Sequence, residues 1–158
     1  MIKTAVLTIS DSCSKGQRED ISGQTIRNIL TEHGFEVCEK RIVADDRDKI
    51  ISELIDFSDR PGLDVLFTTG GTGLGPRDVT PEATIAVSEK IVYGLGELMR
   101  LKGLESTPNA VLSRGVAVTR KKTLIINLPG SPKAVRECLE LIIGILPHAV
   151  EMMHGGGH

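Results

Sequence analysis

The sequence predicts an α/β fold: a mostly parallel sheet with helices on both faces and one antiparallel hairpin strand. Two observations predict it. Short, continuous apolar runs alternate along the chain with segments whose apolar residues recur at helical spacing. The first run, Thr4-Ala5-Val6-Leu7-Thr8-Ile9, is nearly apolar throughout, as expected of a parallel strand covered on both sides. With 158 residues there is room for one domain with a sizeable core. We assign that domain to residues 1–154 and expect a flexible glycine tail over 155–158.

The remaining elements follow in order. Ile26, Ile29, Leu30 and His33 mark a helix, and Gly34 closes it in the left-handed conformation that helix ends favour. Residues 35–43 read as a second strand. Ile50, Ile51, Leu54 and Ile55 mark a second helix, and residues 63–69 a third strand. A glycine-rich loop spans 70–75. Thr80 is expected to cap the next helix, with Pro81 at its first position. A further short helix is expected over 94–103. Residues 116–118 and 123–127 flank the basic turn Arg120-Lys121-Lys122 at hairpin spacing. Ser131-Pro132 opens the last helix. Its apolar stripe runs from Val135 to Ala149, with a kink at Pro147.

Composition narrows the function. Hydrophobic residues make up 40% and charged residues 25%, and no apolar run approaches the length of a membrane span. The first residues read straight into a strand rather than into an export signal, so a cytoplasmic location is expected. Net charge is -2, without a basic stripe, and aromatic residues are few. Nucleic acid is therefore not an expected partner. Cys13, Cys38 and Cys138 form no C-x-x-C pair, which argues against a disulfide scaffold or a zinc site.

In a parallel sheet, ligands bind outside the carboxyl ends of the strands. Those ends hold the unusual residues. Thr69-Gly70-Gly71-Thr72-Gly73 follows the third strand, and such a loop either cradles an anion with its backbone N–H groups or simply turns. The hydroxyls of Thr69 and Thr72 are possible further donors. No Lys-Ser/Thr pair follows, so this is not a P-loop. Asp78 lies just before the Thr80 cap, with no structural task in view and Arg77 as a neighbouring partner. Asp45 ends the second strand; it, or Asp46, could cap the next helix. Together Asp45 and Asp78 suit Mg²⁺ carried by a nucleotide, because Mg²⁺ takes one or two carboxylates plus phosphate oxygens. Ser10-Asp11-Ser12 is either a ligand loop or a plain polar one. Asn127-Leu128-Pro129-Gly130-Ser131 is either an anion site at a helix start or an ordinary turn.

Several of these stretches stand in a recognisable order. Ile9-Ser10-Asp11-Ser12, Thr68 to Gly73, Arg77-Asp78-Val79-Thr80-Pro81-Glu82-Ala83-Thr84, Ala110 to Arg114, and Leu124 to Pro132 resemble the MogA/MoaB family of molybdenum-cofactor biosynthesis. The resemblance covers nearly the whole chain and extends to the G domain of gephyrin. It implies a three-layer α/β/α sandwich, usually a homotrimer and sometimes a hexamer. It also implies transfer of AMP from Mg-ATP to the phosphate of molybdopterin, the product passing to a separate molybdate-insertion enzyme. By the same resemblance, Asp45 and Asp78 are needed for activity. Ser113 and Asn127 line the pterin-phosphate pocket, and the glycine loop and Pro129-Gly130-Ser131 bind ligand. The alternative is a non-catalytic, MoaB-type carrier of molybdopterin.

Overall fold

The computed structural model describes residues 1–157. The elements run β1 (Lys3–Ile9), α1 (Asp11–Ser14), α2 (Ile21–Glu32), β2 (Glu36–Val43), α3 (Arg47–Ser58), β3 (Val65–Thr69), α4 (Thr80–Ala86) and β4 (Lys90–Ile91). They continue with α5 (Tyr93–Gly103), a 3₁₀ turn (Pro108–Leu112), β5 (Ala117–Arg120), β6 (Thr123–Leu128), α6 (Pro132–Ile142), a 3₁₀ turn (Ile143–Ile145) and α7 (Leu146–Met153).

One sheet holds all six strands in the order β2-β1-β3-β6-β5-β4. β1 pairs in parallel with β2 and β3, and β3 with β6. β5 alone runs against its neighbours β6 and β4. The chain leaves β1 for one side to form β2, then returns to the other side to form β3. The strand order therefore reverses between β1 and β3. That is where open α/β sheets leave a crevice at the strands' carboxyl ends.

Successive residues of each central strand point to opposite faces, and both faces are covered. Val6, Val65, Phe67, Leu124 and Ile126 pack with α2, α5 and α6. Ala5, Leu7, Leu66 and Ile125 pack with α3 and α4. This is the three-layer α/β/α sandwich that the resemblance implied, and the continuous apolar runs are its physical cause.

Two local expectations need correction, and two short elements were not expected. The last helix does not bend at Pro147. It breaks earlier, in the 3₁₀ turn Ile143–Ile145, and Pro147 starts a new helix where its missing N–H costs nothing. The two-residue edge strand β4 and the short helix α1 carry too little periodicity to be legible in the sequence. Thr80 is not a cap: Val79 holds that position without a side-chain bond, and Thr80 lies in the first turn. At the far end of the chain, the Gly155 and Gly156 N–H groups bond to the carbonyls of Met152 and Glu151. His154 Nε2 lies 3.1 Å from Asp64 Oδ1, at the start of β3 and thus at the rim opposite the crevice. His158, which belongs to the expected tail, lies outside the described residues.

Candidate active site

The ends of β1 and β2 are clamped together. The Asp11 N–H donates to Asp45 Oδ2 at 2.9 Å, and the Asp45 N–H returns a bond to Asp11 Oδ1 at 3.0 Å. Ser10 caps α1 by accepting from the Cys13 N–H, so Ser10-Asp11-Ser12 is a helix start rather than a loop. Asp46 caps α3 through the Lys49 N–H, which leaves Asp45 without capping duty. Arg77 does not pair with Asp78. It grips Asp11 with two bonds, of 3.0 and 2.9 Å.

The glycine loop is shaped by close approach. Gly70 and Gly71 take φ of +98° and +68°, a region that side chains rarely adopt. A Cβ on Gly70 would strike the Ile9 carbonyl, and one on Gly71 would strike the Thr80 hydroxyl. The Gly70 N–H is spent on the Leu128 carbonyl at 3.4 Å, so Gly70 offers no donor to a ligand. The N–H groups of Gly71, Thr72 and Gly73 meet no acceptor among the described residues. The Thr69 hydroxyl is spent as well: it donates to the Pro129 carbonyl at 2.6 Å and ties the two loops together. Thr80 donates to the Gly70 carbonyl. Asp78 does have a structural task, since its Oδ2 accepts from the Gly75 N–H at 2.9 Å.

Arg114 holds this loop from outside, a role that sequence reasoning missed. Its Nε donates to the Gly73 carbonyl and its Nη2 to the Asp78 carbonyl, both at 2.9 Å, while Nη1 pairs with Glu82. The signal was present in the Ala110 to Arg114 motif, but nothing in the sequence reveals a partner more than thirty residues away.

Two pockets open on this rim. The polar one, about 400 Å³, is lined by Ser10, Asp45, Gly70, Gly71, Asp78 and Gly130, among others. Ser131 lines it too and also borders the second pocket. The starts of α2 and α6 face the polar pocket through Ser22 and Pro132, which adds the positive ends of two helix dipoles. The apolar pocket, about 340 Å³, is lined by Met99, Ser113, Gly115, Asn127, Pro129 and Cys138, among others. Asp11, Ser12, Thr72 and Gly73 line neither pocket. Asn127 borders the apolar pocket but its side chain is saturated. Its amide donates to Thr68 and Thr84 and its oxygen accepts from the Val116 N–H.

The polar pocket also holds residues that the sequence did not single out: Arg18, Asp20 and Ser22. Asp20 caps α2 through the Gly23 N–H, accepts from the Thr8 hydroxyl, and pairs with Lys40 at 2.7 Å. Its side chain is only 5% exposed. Burial alone would raise its pKa, yet the bonds from Lys40, Thr8 and Gly23 prevail and lower it. The Ser22 hydroxyl donates to the Gly130 carbonyl at 2.6 Å and fixes the turn between the pockets.

Asp45 behaves in the opposite way. Burial pushes its pKa up, and the negative charges of Asp11 and Asp78 add to that, against the Asp11 N–H bond and Arg77. Its raised pKa means that the fold holds the ionised form less well than the unfolded chain does. The stability this group contributes is complete below the ordinary carboxylate range and is lost as pH rises through the raised value. Asp45→Asn keeps an acceptor for the Asp11 N–H and removes the charge. Its melting temperature at pH 7 should exceed that of wild type, with the gap closing in acid. A thermal melt at the two pH values tests this, and a less stable Asn variant at pH 7 would count against it.

An α/β/α sandwich with two carboxylates and a glycine loop at its switch point belongs to the class of open α/β folds that take ligands at the carboxyl ends of their strands. The family described as a probable molybdopterin binding domain matches residues 5–148, and the chain belongs to that family. A protein of Helicobacter pylori (strain J99) named molybdopterin adenylyltransferase is 47% identical over 98% of this chain and 89% of its own length. The Escherichia coli (strain K12) protein of the same name is 36% identical over 98% of this chain and 86% of its own. The crystal structure of the molybdopterin biosynthesis enzyme MoaB from Thermus thermophilus superposes with a TM-score of 0.92, at 48% identity over 99% of each chain.

Proposed function

We propose that this protein is an enzyme that transfers the adenylyl group of Mg-ATP to the terminal phosphate of molybdopterin, in molybdenum cofactor biosynthesis. One observation carries this reading: a polar pocket holding both aspartates abuts an apolar pocket across Ser131. Nucleotide phosphates fit the first and a flat heterocycle the second. The acceptor phosphate then meets the α-phosphorus at the turn between them. Its oxygen forms the new P–O bond, the bond from α- to β-phosphate breaks, and pyrophosphate leaves.

Bringing two anions together is chiefly a matter of position and charge. The free N–H group of Gly71 and the starts of α2 and α6 offer donors to phosphate oxygens. Asp45 and Asp78 would hold Mg²⁺. They fit it because they line one pocket and are both carboxylates, the hard oxygen donors that Mg²⁺ takes alongside phosphate oxygens. When bound, the ion neutralises phosphate charge. A phosphate nucleophile is already ionised near neutral pH and needs no base, and no described histidine lines either pocket.

A cytoplasmic location is part of this proposal, as for a biosynthetic enzyme acting on Mg-ATP. The three cysteines are unpaired, and no helix of the described residues is long and apolar enough to cross a membrane. Tyr93, Leu101, Leu104, Val111 and Leu112 are exposed along α5 and the 3₁₀ turn after it. Apolar side chains gathered there fit a self-associating surface. The family resemblance adds the stoichiometry, a homotrimer with a hexamer as the larger form, and the hand-over of product to a molybdate-insertion enzyme. Light scattering at micromolar concentration should give three times the chain mass of 17.0 kDa; a monomer would overturn the assembly.

The decisive experiment is single turnover with molybdopterin, Mg²⁺ and α-labelled ATP. Label appearing in the pterin is the expected result. Tight molybdopterin binding without transfer would identify a carrier instead.

A further inference from the structure

The apolar pocket carries one feature that phosphate transfer does not use. Its wall is mostly carbon, from Gly96, Met99, Ala110 and Pro129, and its charged lining residues are Arg100, Lys133 and Glu137 of α6. Arg100 is spent on the Ser113 and Gly115 carbonyls, which leaves Glu137 as the acceptor. Glu137 Oε1 accepts from the Ser106 hydroxyl at 3.0 Å. Its Oε2 has no partner, and no Lys or Arg forms a salt bridge with it, among the described residues. The neighbouring Cys138 thiol is pushed up to about 11, by burial first and then by the Glu137 charge. It therefore stays protonated and offers no competing anion. A flat ring that filled this pocket would strip water from Glu137, and that is costly unless the ring brings its own donors.

We infer that Glu137 selects the pterin ring, by accepting hydrogen bonds from its N3–H and 2-amino group. The inference rests on the placement of the pterin in this pocket under the proposed function. The two donors lie side by side on one edge of the ring, which suits a carboxylate with one oxygen unpartnered and the other held in place by Ser106. Adenine presents a different edge: its amino group sits beside N1, whose lone pair would face the carboxylate. The same residue therefore admits the pterin and turns away the base of ATP. A pocket of about 340 Å³ accommodates a bicyclic ring. Its border at Ser131 lets the substituent that bears the phosphate reach the polar pocket.

Binding is measured without ATP turnover. The dissociation constant for molybdopterin should rise roughly 10–100-fold in Glu137→Gln, as loss of a charged hydrogen-bond partner predicts. The constant for Mg-ATP should stay unchanged. Gln keeps an acceptor for Ser106, so the fold is retained. As a second measurement, 6-hydroxymethylpterin should compete better than 6-hydroxymethyllumazine, which has an oxygen in place of the 2-amino group. That preference should vanish in Glu137→Gln, whose amide can donate to the oxygen. Equal competition by the two rings at wild type, or wild-type molybdopterin affinity in Glu137→Gln, would overturn the inference. Ring selection without label transfer would uphold it and overturn the transferase. Label transfer without ring selection would do the reverse.

Discussion

Asp78→Asn is expected to lower the rate of adenylyl transfer by roughly 10²–10⁴-fold, the equivalent of the several kcal/mol of charge stabilisation that a metal supplies. The estimate follows from what the substitution keeps and what it removes. Asp78 Oδ2 accepts from the Gly75 N–H, and its backbone carbonyl accepts from Arg114. Asn retains both acceptors, so the loop that follows β3 keeps its shape. Only the negative charge facing the polar pocket is lost. Affinity for molybdopterin should therefore stay near the wild-type value while transfer of label collapses. An Asn variant that turns over at the wild-type rate would remove Asp78 from the chemistry. One that unfolds would show the residue to be structural. Single-turnover kinetics and a melting curve, taken together, separate the two.

The second large effect concerns stability. Asp20→Ala should destabilise the fold by about 3–5 kcal/mol, the usual cost of breaking a buried ion pair by removing one partner. Three bonds converge on Asp20, from Lys40, Thr8 and the Gly23 N–H that it caps. Its removal leaves the Lys40 ammonium without a partner, beside a pocket that must receive anions. At roughly 2–4 °C per kcal/mol for a chain of this size, the melting temperature should fall by about 10 °C. The double change Asp20→Ala with Lys40→Met should recover part of that loss, because no orphaned charge remains. A double variant no more stable than Asp20→Ala would place the cost in the helix cap instead. The acid limb carries a further sign. Because the folded pKa of Asp20 is lowered, its stabilisation is present above the ordinary carboxylate range and is lost as pH falls through the lowered value. In Asp20→Ala that acid-sensitive component should be missing.

Asp45 and Asp20 line the same pocket with pKa shifts of opposite direction, and the difference is chemical. Asp20 has a cation in contact and three donors, so it is a structural anion at its lowest energy. Asp45 has one backbone donor and two negative neighbours. Burial and these neighbours disfavour its ionised form, a perturbation of the kind that marks candidate functional carboxylates. Magnesium bound with the nucleotide would relieve that repulsion.

The sandwich was legible in the amino-acid order because its causes are local. A strand covered on both faces must be apolar at successive positions, as in Val65 to Phe67, and a helix on a sheet must be apolar every third or fourth residue, as in Ile26, Ile29 and Leu30. Gly70 and Gly71 were legible as a loop because positive φ demands glycine. Asp45 and Asp78 stood out as carboxylates at strand ends, and the structure brings both to the polar pocket. Their partners were not legible. That Arg77 would choose Asp11 over its neighbour Asp78, that Thr69 would spend its hydroxyl on Pro129, and that Asn127 would turn its amide inward depend on contacts between residues 59 to 66 positions apart or on burial. Asp20 and Glu137 were not singled out in the sequence for the same reason. A side chain's type is written in the sequence. Whether its charge meets water, a cation or the wall of a pocket is decided only when the chain has folded and distant segments share one rim.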